Sequence, residues 1–173
     1  MLPAKTQYKL NAMSCAMWLS EYLVNKNITG WITYENASHG LGYKADWFGM
    51  TMKSKAGREF LLKFFTVDGN NVAAYDVWKM AVDIPLRDFK SYTKINAKFF
   101  ERLVRESKVK VYYSEFRRRK CVSFEDALLL LFWVKVKKLT SNFFPYALAM
   151  RISNLSPDLL REFIMRYNLK QGW

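Results

Sequence analysis

Apolar residues recur at helical spacing near the start of the chain, and the pattern changes after residue 30. Between residues 9 and 25 the apolar positions predict a helix; they are Leu10, Met13, Met17, Leu19 and Leu23. From residue 31 to 67 strand-forming residues dominate, and residues 54–57 (SKAG) predict a hairpin turn within that stretch. Residues 72–80 fit a strand and a helix equally well, and both interpretations stay open.

The second half of the chain contains a strongly amphipathic stretch at residues 92–108, YTKINAKFFERLVRESK. Its apolar side chains fall on one helical face; they are Ile95, Phe99, Phe100, Leu103 and Val104. If this helix begins as early as Pro85, a residue that suits the first turn, it also includes Arg87 and Lys90. Residues 108–115 (KVKVYYSE) then alternate between apolar and basic side chains, which predicts a strand with a basic outer face.

The remainder of the chain is predicted to be helical. Ser123 and Asp126 resemble a capping box before residues 124–138, which are apolar nearly all round and predict a buried helix. Two further helices are predicted at residues 143–152 and 157–169, the last one starting at Pro157.

Together these elements predict an α+β fold with one N-terminal helix and a small antiparallel sheet of about three to four strands. A basic amphipathic helix and a helical C-terminal third complete it. We expect two regions, residues 1–113 and 114–173, packed as one compact unit, since no repeat or linker separates them. Hydrophobic residues make up 51% of the chain, enough for a substantial core.

The charge composition of the chain indicates a polyanionic partner. The chain has 28 Lys and Arg against 15 Asp and Glu, a formal net charge of +13 at pH 7. An imbalance of this size favours nucleic acid or an anionic membrane as the partner. Residues 87–120 alone carry twelve cations and four anions, so most of the excess is concentrated in a fifth of the sequence.

The concentrated cations are the candidate phosphate contacts, which position a protein on nucleic acid without reading its sequence. A stripe at helical spacing contains Lys90, Lys94, Lys98, Arg102 and Arg105; Lys108 and Lys110 extend it on the predicted strand, and Arg117, Arg118, Arg119 and Lys120 follow. The alternative for the stripe is a solvated helix face. For residues 117–120 the alternative is a linker between two elements.

The C-terminal stretch FFPYALAMRISNLSPDLLREFIMRY has the form helix, short turn, helix. Residues 114–170 resemble the DNA-binding segment of some insertion-sequence transposases, where a basic stretch leads into an apolar helix and then a helix-turn-helix. The resemblance covers about a third of the chain, and it lacks a turn glycine and a zinc ribbon. It implies that the last helix enters the major groove, with Arg161, Arg166 and Asp158 near base edges. The alternative is an ordinary helical hairpin that closes the core.

Catalysis has little support in the sequence. The single histidine, His39, is predicted to lie in a loop with no nucleophile beside it, which disfavours Ser-His-Asp chemistry and histidine-ligated metal. Asp46, Glu59 and Lys63 lie across the predicted hairpin and leave a metal-dependent nuclease as an alternative. The spacing of four between the last two fits that chemistry poorly, so we predict no catalytic residue, metal or cofactor.

The sequence therefore predicts a non-enzymatic nucleic-acid-binding protein, with double-stranded DNA favoured over RNA. Base stacking by Trp47, Phe64 or Tyr75 would instead favour unpaired strands. One rival is a regulator of viral or phage type that binds an acidic protein surface, and another is a matrix-like protein on an anionic membrane. Cys15 and Cys121 form no metal-binding pattern and are expected to be buried free thiols in a reducing, intracellular location. The longest apolar run has eight residues, too few to span a bilayer.

Overall fold

The computed structural model describes residues 10–24, 28–107, 109–140, 143–144 and 170–171. The fold is α+β, as the sequence predicts, with short, mostly antiparallel strands distributed among helices. Within these residues no helix combines the length and the apolar character needed to cross a membrane.

The helices and strands follow one another closely along the chain. The helices are α1 (Ala12–Val24), α2 (Tyr34–Leu41), α3 (Trp47–Lys53), α4 (Lys55–Leu62), α5 (Ala74–Ala81), α6 (Leu86–Thr93), α7 (Ala97–Glu106) and α8 (Phe124–Thr140). The strands are β1 (Trp31–Thr33), β2 (Val67–Asp68), β3 (Asn71–Ala73), β4 (Asp83–Pro85), β5 (Tyr112–Ser114), β6 (Arg119–Ser123), β7 (Phe143–Phe144) and β8 (Lys170–Gln171). The two long apolar helices that the sequence predicts, α1 and α8, are confirmed.

The chain forms two compact units, and each takes residues from two separate segments. The first unit spans Met1–Tyr92 and Val111–Phe124, and it contains both three-stranded sheets, helices α1 to α5 and nearly all of α6. The second unit spans Thr93–Lys110 and Glu125–Trp173, and it contains α7, nearly all of α8 and the parallel pair β7–β8.

The two sheets of the first unit share one topology, although the sequence shows no repeat. Their strand orders are β1-β3-β2 and β4-β6-β5, so the last strand of each set is central and pairs antiparallel with both others. Ile32 pairs with Val72 in one sheet and Ile84 pairs with Val122 in the other, and all four are buried. In both sheets the first and the central strand lead directly into a helix with no residue between them.

The hairpin predicted at residues 54–57 is wrong, because this stretch joins two helices. Ser54 accepts a hydrogen bond from the Gly57 amide at 3.0 Å and thereby caps the start of α4. A Cβ on Gly57 would lie 2.2 Å from the Thr51 carbonyl oxygen, so glycine is what allows α3 and α4 to pack this closely. Serine and glycine favour turns, but here they form a helix cap and a helix contact.

The helix predicted over residues 92–108, or from Pro85 if it starts earlier, is also wrong in one respect, because the chain forms two helices there, α6 and α7. Lys94 has a φ of 57°, which a right-handed helix does not allow. Asn96 then accepts a hydrogen bond from the Phe99 amide at 2.8 Å and starts α7. The ambiguous stretch at residues 72–80 contains the end of β3 followed by α5.

The core of the first unit is rich in aromatic rings, and one of them comes from the loop between β5 and β6. Phe116 is 4% exposed in that loop. Its ring centroid lies 5.4–6.3 Å from those of Tyr43, Trp47, Phe60, Phe64 and Phe65. The basic run therefore begins in a hairpin loop that packs into the core, and it is not a solvated linker.

Candidate nucleic-acid interface

The four consecutive cations at residues 117–120 have different environments. Arg117 is 2% exposed, Arg119 is half-buried, and Arg118 and Lys120 are exposed. Arg118 has a φ of 56°, and its amide donates to the Ser114 carbonyl at 2.7 Å, which closes the hairpin. Because β6 begins at Arg119, the run crosses from a loop into a strand and does not form one uniform cationic surface.

Arg117 lies inside the first unit and contacts main-chain oxygens and aromatic faces. Its Nε donates to the Asp83 carbonyl at 3.0 Å, and its Nη1 donates to the Leu41 carbonyl. The guanidinium carbon lies 5.3 Å from the Phe116 ring centroid and 5.7 Å from that of Tyr43. The prediction that Arg117 contacts phosphate is wrong, because its side chain is enclosed by protein.

The Asp83 carboxylate connects β4 to β5 and to the hairpin loop. It accepts hydrogen bonds from the Tyr112 hydroxyl at 2.6 Å and from the Ser114 hydroxyl at 2.8 Å. The Ser114 oxygen also accepts from the Arg117 amide at 3.1 Å. Burial, reinforced by the Asp83 carboxylate, raises the pKa of Tyr112 well above its ordinary value, so this phenol stays protonated.

Asp88 is a second carboxylate that is used inside the protein. Its Oδ2 accepts from the Ala12 amide at 2.7 Å, and its carbonyl accepts from the Asn11 side-chain amide at 2.9 Å. The residue is 6% exposed, and this burial raises the pKa of its carboxyl group above the ordinary value, although the Ala12 hydrogen bond opposes the shift. Asp88 thus fixes the start of α1 and carries a titration that is coupled to folding.

We expect Asp88→Asn to gain stability relative to the parent as pH rises from about 4 towards 7. A carboxyl whose pKa is raised by folding binds its proton more tightly in the native state than in the unfolded state. Its contribution to the free energy of unfolding is therefore fully present below the unfolded-state pKa and is lost as the pH rises through the folded-state pKa. Asparagine keeps an acceptor for Ala12 but does not titrate. Urea unfolding at a series of pH values measures the difference.

The control for this experiment is Asp68→Asn, which removes an exposed carboxylate and should change the unfolding free energy by less than about 0.5 kcal/mol. A difference between Asp88→Asn and the parent that stays constant across the pH range would contradict the assignment.

Both cysteines are buried free thiols, as the sequence predicts. Burial raises the pKa of Cys15 to about 11 and that of Cys121 to about 12. The two thiols therefore stay protonated at neutral pH, and they pack as small apolar side chains without reactivity.

A set of exposed cations that the sequence analysis missed lies on α3 and α4. We define the α4 ridge as Lys53, Lys55, Arg58, Lys63 and Arg118, all of them exposed. A helical projection at about 100° per residue places five exposed side chains within an arc of about 140°. In order around the helix they are Arg58, Leu62, Lys55, Glu59 and Lys63. Gly57 and Leu61 lie on the opposite, buried side. Of the five cations of the α4 ridge, only Arg118 was predicted to contact nucleic acid, because the predicted hairpin placed the other four on its strands or in its turn.

The hairpin adds Arg118 to this surface. Its guanidinium carbon lies 4.8 Å from the ring centroid of Phe60, a residue of α4. The Phe60 ring in turn stacks on Phe116 with a centroid distance of 5.9 Å. The core aromatic, the α4 aromatic and the exposed arginine therefore form one continuous stack, which holds Arg118 beside α4.

The second unit also carries exposed cations. Lys98, Arg102 and Arg105 lie on the exposed face of α7 and line a shallow pocket of about 490 Å³ together with Asn96, Phe99 and Glu101. Three of the five residues of the predicted stripe thus share the exposed face of α7, and their contact with phosphates stays a prediction. Lys94 is exposed in the link before α7, and Lys110 is exposed after it. Lys90 is half-buried on α6 of the first unit.

Several predicted site residues lie outside the described part of the chain: Lys108, Asp158, Arg161 and Arg166. The predicted helix-turn-helix at residues 143–169 lies outside it as well, apart from its first two residues. Phe143 and Phe144 form β7, which pairs parallel with β8, although the sequence predicts that a helix starts at residue 143. The groove-reading role of Arg161 and Arg166 stays a prediction.

Comparison of the chain with protein-family models, with curated proteins and with solved structures found no match. Its function must therefore be argued from its own residues.

The residues considered for catalysis are placed differently from the prediction. His39 lies on α2, not in a loop, and its ring centroid is 4.4 Å from the Trp18 ring. Asp46 precedes α3, while Glu59 is on α4 and Lys63 follows it, so the hairpin on which the nuclease alternative rested is not present. Among the described residues, no group of three or more His, Cys, Asp or Glu side chains is arranged to hold a metal ion.

The aromatic residues considered for base stacking separate into core and surface. Trp47 is 7% exposed and belongs to the core, and Phe64 is half-buried against it. Tyr75 is 52% exposed on α5, with the Lys79 ammonium 5.5 Å from its ring centroid. Only Tyr75 of these three is available for stacking on a base.

Proposed function

We propose that this chain is a non-enzymatic nucleic-acid-binding protein that binds double-stranded DNA through exposed cations. The supporting observation is that most of the Lys and Arg side chains whose burial the structure describes are exposed, whereas three carboxylates are buried or used inside the protein. Asp83 and Asp88 satisfy internal donors, and Asp126 is 8% exposed. The α4 ridge and the α7 cations are exposed. On a chain with a net charge of +13, these exposed cations form basic surfaces.

Binding would be driven mainly by release of the counterions condensed on the phosphates, which supplies most of the affinity of a basic surface for DNA. Rigid elements present these cations, so less conformational entropy is lost on binding than with a disordered basic tail. An intracellular, reducing location is part of the proposal, and the two buried free thiols are consistent with it.

The direct test is fluorescence anisotropy of the full chain with labelled double-stranded DNA, single-stranded DNA and RNA between 50 and 200 mM salt. We expect micromolar or tighter binding to the duplex, with log K falling linearly against log salt by about 0.9 for each phosphate contacted. Tighter binding to single strands would contradict the duplex preference. No binding to any of the three at low salt would contradict the function itself.

A second candidate function, a protein-binding regulator, is favoured by one observation on the same surface. Met50 is 57% exposed and Leu62 is 53% exposed. The Lys53 ammonium lies 3.8 Å from the Met50 sulfur, so an apolar group and a cation lie side by side. An acidic protein with apolar side chains would complement such a patch. Failure of the nucleic-acid titration would make this candidate the leading one.

A further inference from the structure

The exposed face of α4 has dimensions and chemistry suited to a groove of duplex DNA. A helix of eight residues is about 12 Å long, and the major groove is about 12 Å wide. The face presents Lys55, Arg58 and Glu59 around Leu62, which is 53% exposed. Arginine donates in bidentate fashion to guanine, glutamate accepts from the cytosine amino group, and an apolar side chain contacts the thymine methyl group.

The surrounding structure holds α4 rigidly in this exposed position. Ser54 caps its first turn, and Gly57 packs against the Thr51 carbonyl of α3. Leu61 is fully buried on the opposite side and fixes the rotation of the helix about its axis. A single residue, Ser54, separates α3 from α4, a shorter connection than the three or four residues of a helix-turn-helix. A helix positioned in this way needs little rearrangement to bind.

Further cations lie next to both ends of α4 and beside it, at positions suited to contacting the phosphates that border a groove. Lys53 is at the end of α3, close to the Met50 sulfur. Lys63 follows the last turn of α4, and Arg118 reaches the edge of the helix over Phe60. Glu59, in contrast, is a carboxylate in the middle of the face. A surface that contacted only phosphates would gain nothing from that carboxylate, whereas a face that contacts bases would.

We propose that α4 enters the major groove of double-stranded DNA, with Arg58 and Glu59 at base edges and with Lys53, Lys63 and Arg118 at the flanking phosphates. This inference rests on the proposed function. It adds which helix binds the DNA, which groove the helix enters and which residues contact bases or phosphates. It locates the primary contact on the first unit and makes the α7 cations of the second unit secondary.

The phosphate contacts are tested by a triple variant, Lys53→Gln with Lys63→Gln and Arg118→Gln. Its matched control removes the same charge from the second unit through Lys94→Gln, Lys98→Gln and Arg102→Gln. Because all six side chains are exposed, both variants should keep the circular dichroism spectrum and urea midpoint of the parent. Anisotropy with a 20-base-pair duplex across a salt series then compares the three proteins.

We expect the first variant to lose on the order of a hundredfold in affinity at 0.1 M salt and to flatten the log–log salt slope by about 2.7, while the control loses less than about fivefold. Equal losses in the two variants would overturn the inference and leave the proposed function standing. A parent protein that binds no nucleic acid would contradict both this inference and the proposed function. Displacement of the duplex by a polyglutamate peptide as effectively as by unlabelled duplex would assign the surface to an acidic protein.

The base contacts are tested separately by Arg58→Ala and Glu59→Gln, each selected against a library of duplexes with randomised sequence. We expect the parent to select a short preferred sequence and each variant to relax the preference at one position, because a bidentate contact discriminates between bases. A parent without preference, or variants that change affinity equally for every sequence, would contradict groove insertion. In particular, a uniform gain in affinity for Glu59→Gln would show that this carboxylate faces only phosphates.

Discussion

Arg117→Ala is expected to lower the free energy of unfolding by about 3–5 kcal/mol, an effect unusually large for a cation within a basic run. The reason is that its guanidinium group donates to the Asp83 and Leu41 carbonyls, which would be left buried and without these donors. Each such buried group costs about 1–3 kcal/mol. The contacts with the Phe116 and Tyr43 rings would be lost as well. Urea unfolding followed by circular dichroism measures the change.

The neighbouring Arg118→Ala is the matched control, since it removes the same side chain one residue further along. Arg118 is exposed, and its contact with the Phe60 ring should contribute no more than about 1 kcal/mol. Arg117→Met separates packing from hydrogen bonding, because methionine fills much of the volume and donates nothing. We expect Arg117→Met to lower the free energy of unfolding by at least half as much as Arg117→Ala does. Similar losses for Arg117→Ala and Arg118→Ala would contradict the distinct environments of the two residues.

The same pair of variants also distinguishes the structure from the sequence-based interpretation of the basic run. Four consecutive cations look equivalent in a sequence, and the sequence analysis assigned all of them to phosphates. The structure separates them through the positive φ of Arg118 and through an acceptor on Leu41, which is 76 residues distant in the chain. We therefore expect Arg117→Ala, at temperatures where it is folded, to retain the salt slope of the parent.

The fold class and the long helices α1 and α8 were predictable because periodic apolar patterns persist over many residues there. The strands were predictable only in part: β5 lies within the strand predicted at residues 108–115, but most strands have just two or three residues. Ile32 and Val72 are each the only buried position of their strands, so one apolar residue must define each element. This also explains why the shared topology of the two sheets leaves no visible repeat.

The candidate site was predictable only in part. The α7 face followed from regular spacing, which survives even though Lys94 breaks the predicted helix. The α4 ridge could not be predicted from spacing, because Ser54 and Gly57 are as typical of a turn as they are of a helix start. The choice between them depends on the packing of Gly57 against Thr51, a contact between two helices that periodicity does not encode.

Phe116→Ala is the second large effect, with an expected loss of about 3–5 kcal/mol in the free energy of unfolding. A loop residue rarely contributes this much, but Phe116 is 4% exposed and contacts five other aromatic rings. Tyr113→Ala on the same hairpin is the control, since Tyr113 is 64% exposed and should cost less than about 1 kcal/mol. Equal costs would mean that the loop does not pack into the core.

The milder Phe116→Leu variant connects this core contact to the proposed interface. Leucine keeps most of the buried volume, so the variant should stay folded with a loss of about 1–1.5 kcal/mol. It removes the ring on which Phe60 stacks, and Phe60 in turn carries Arg118. We therefore expect Phe116→Leu to weaken duplex binding, and to weaken it much less when Arg118→Gln is already present. Independent, additive effects in this double-mutant cycle would contradict the view that Phe116 acts on binding through Arg118.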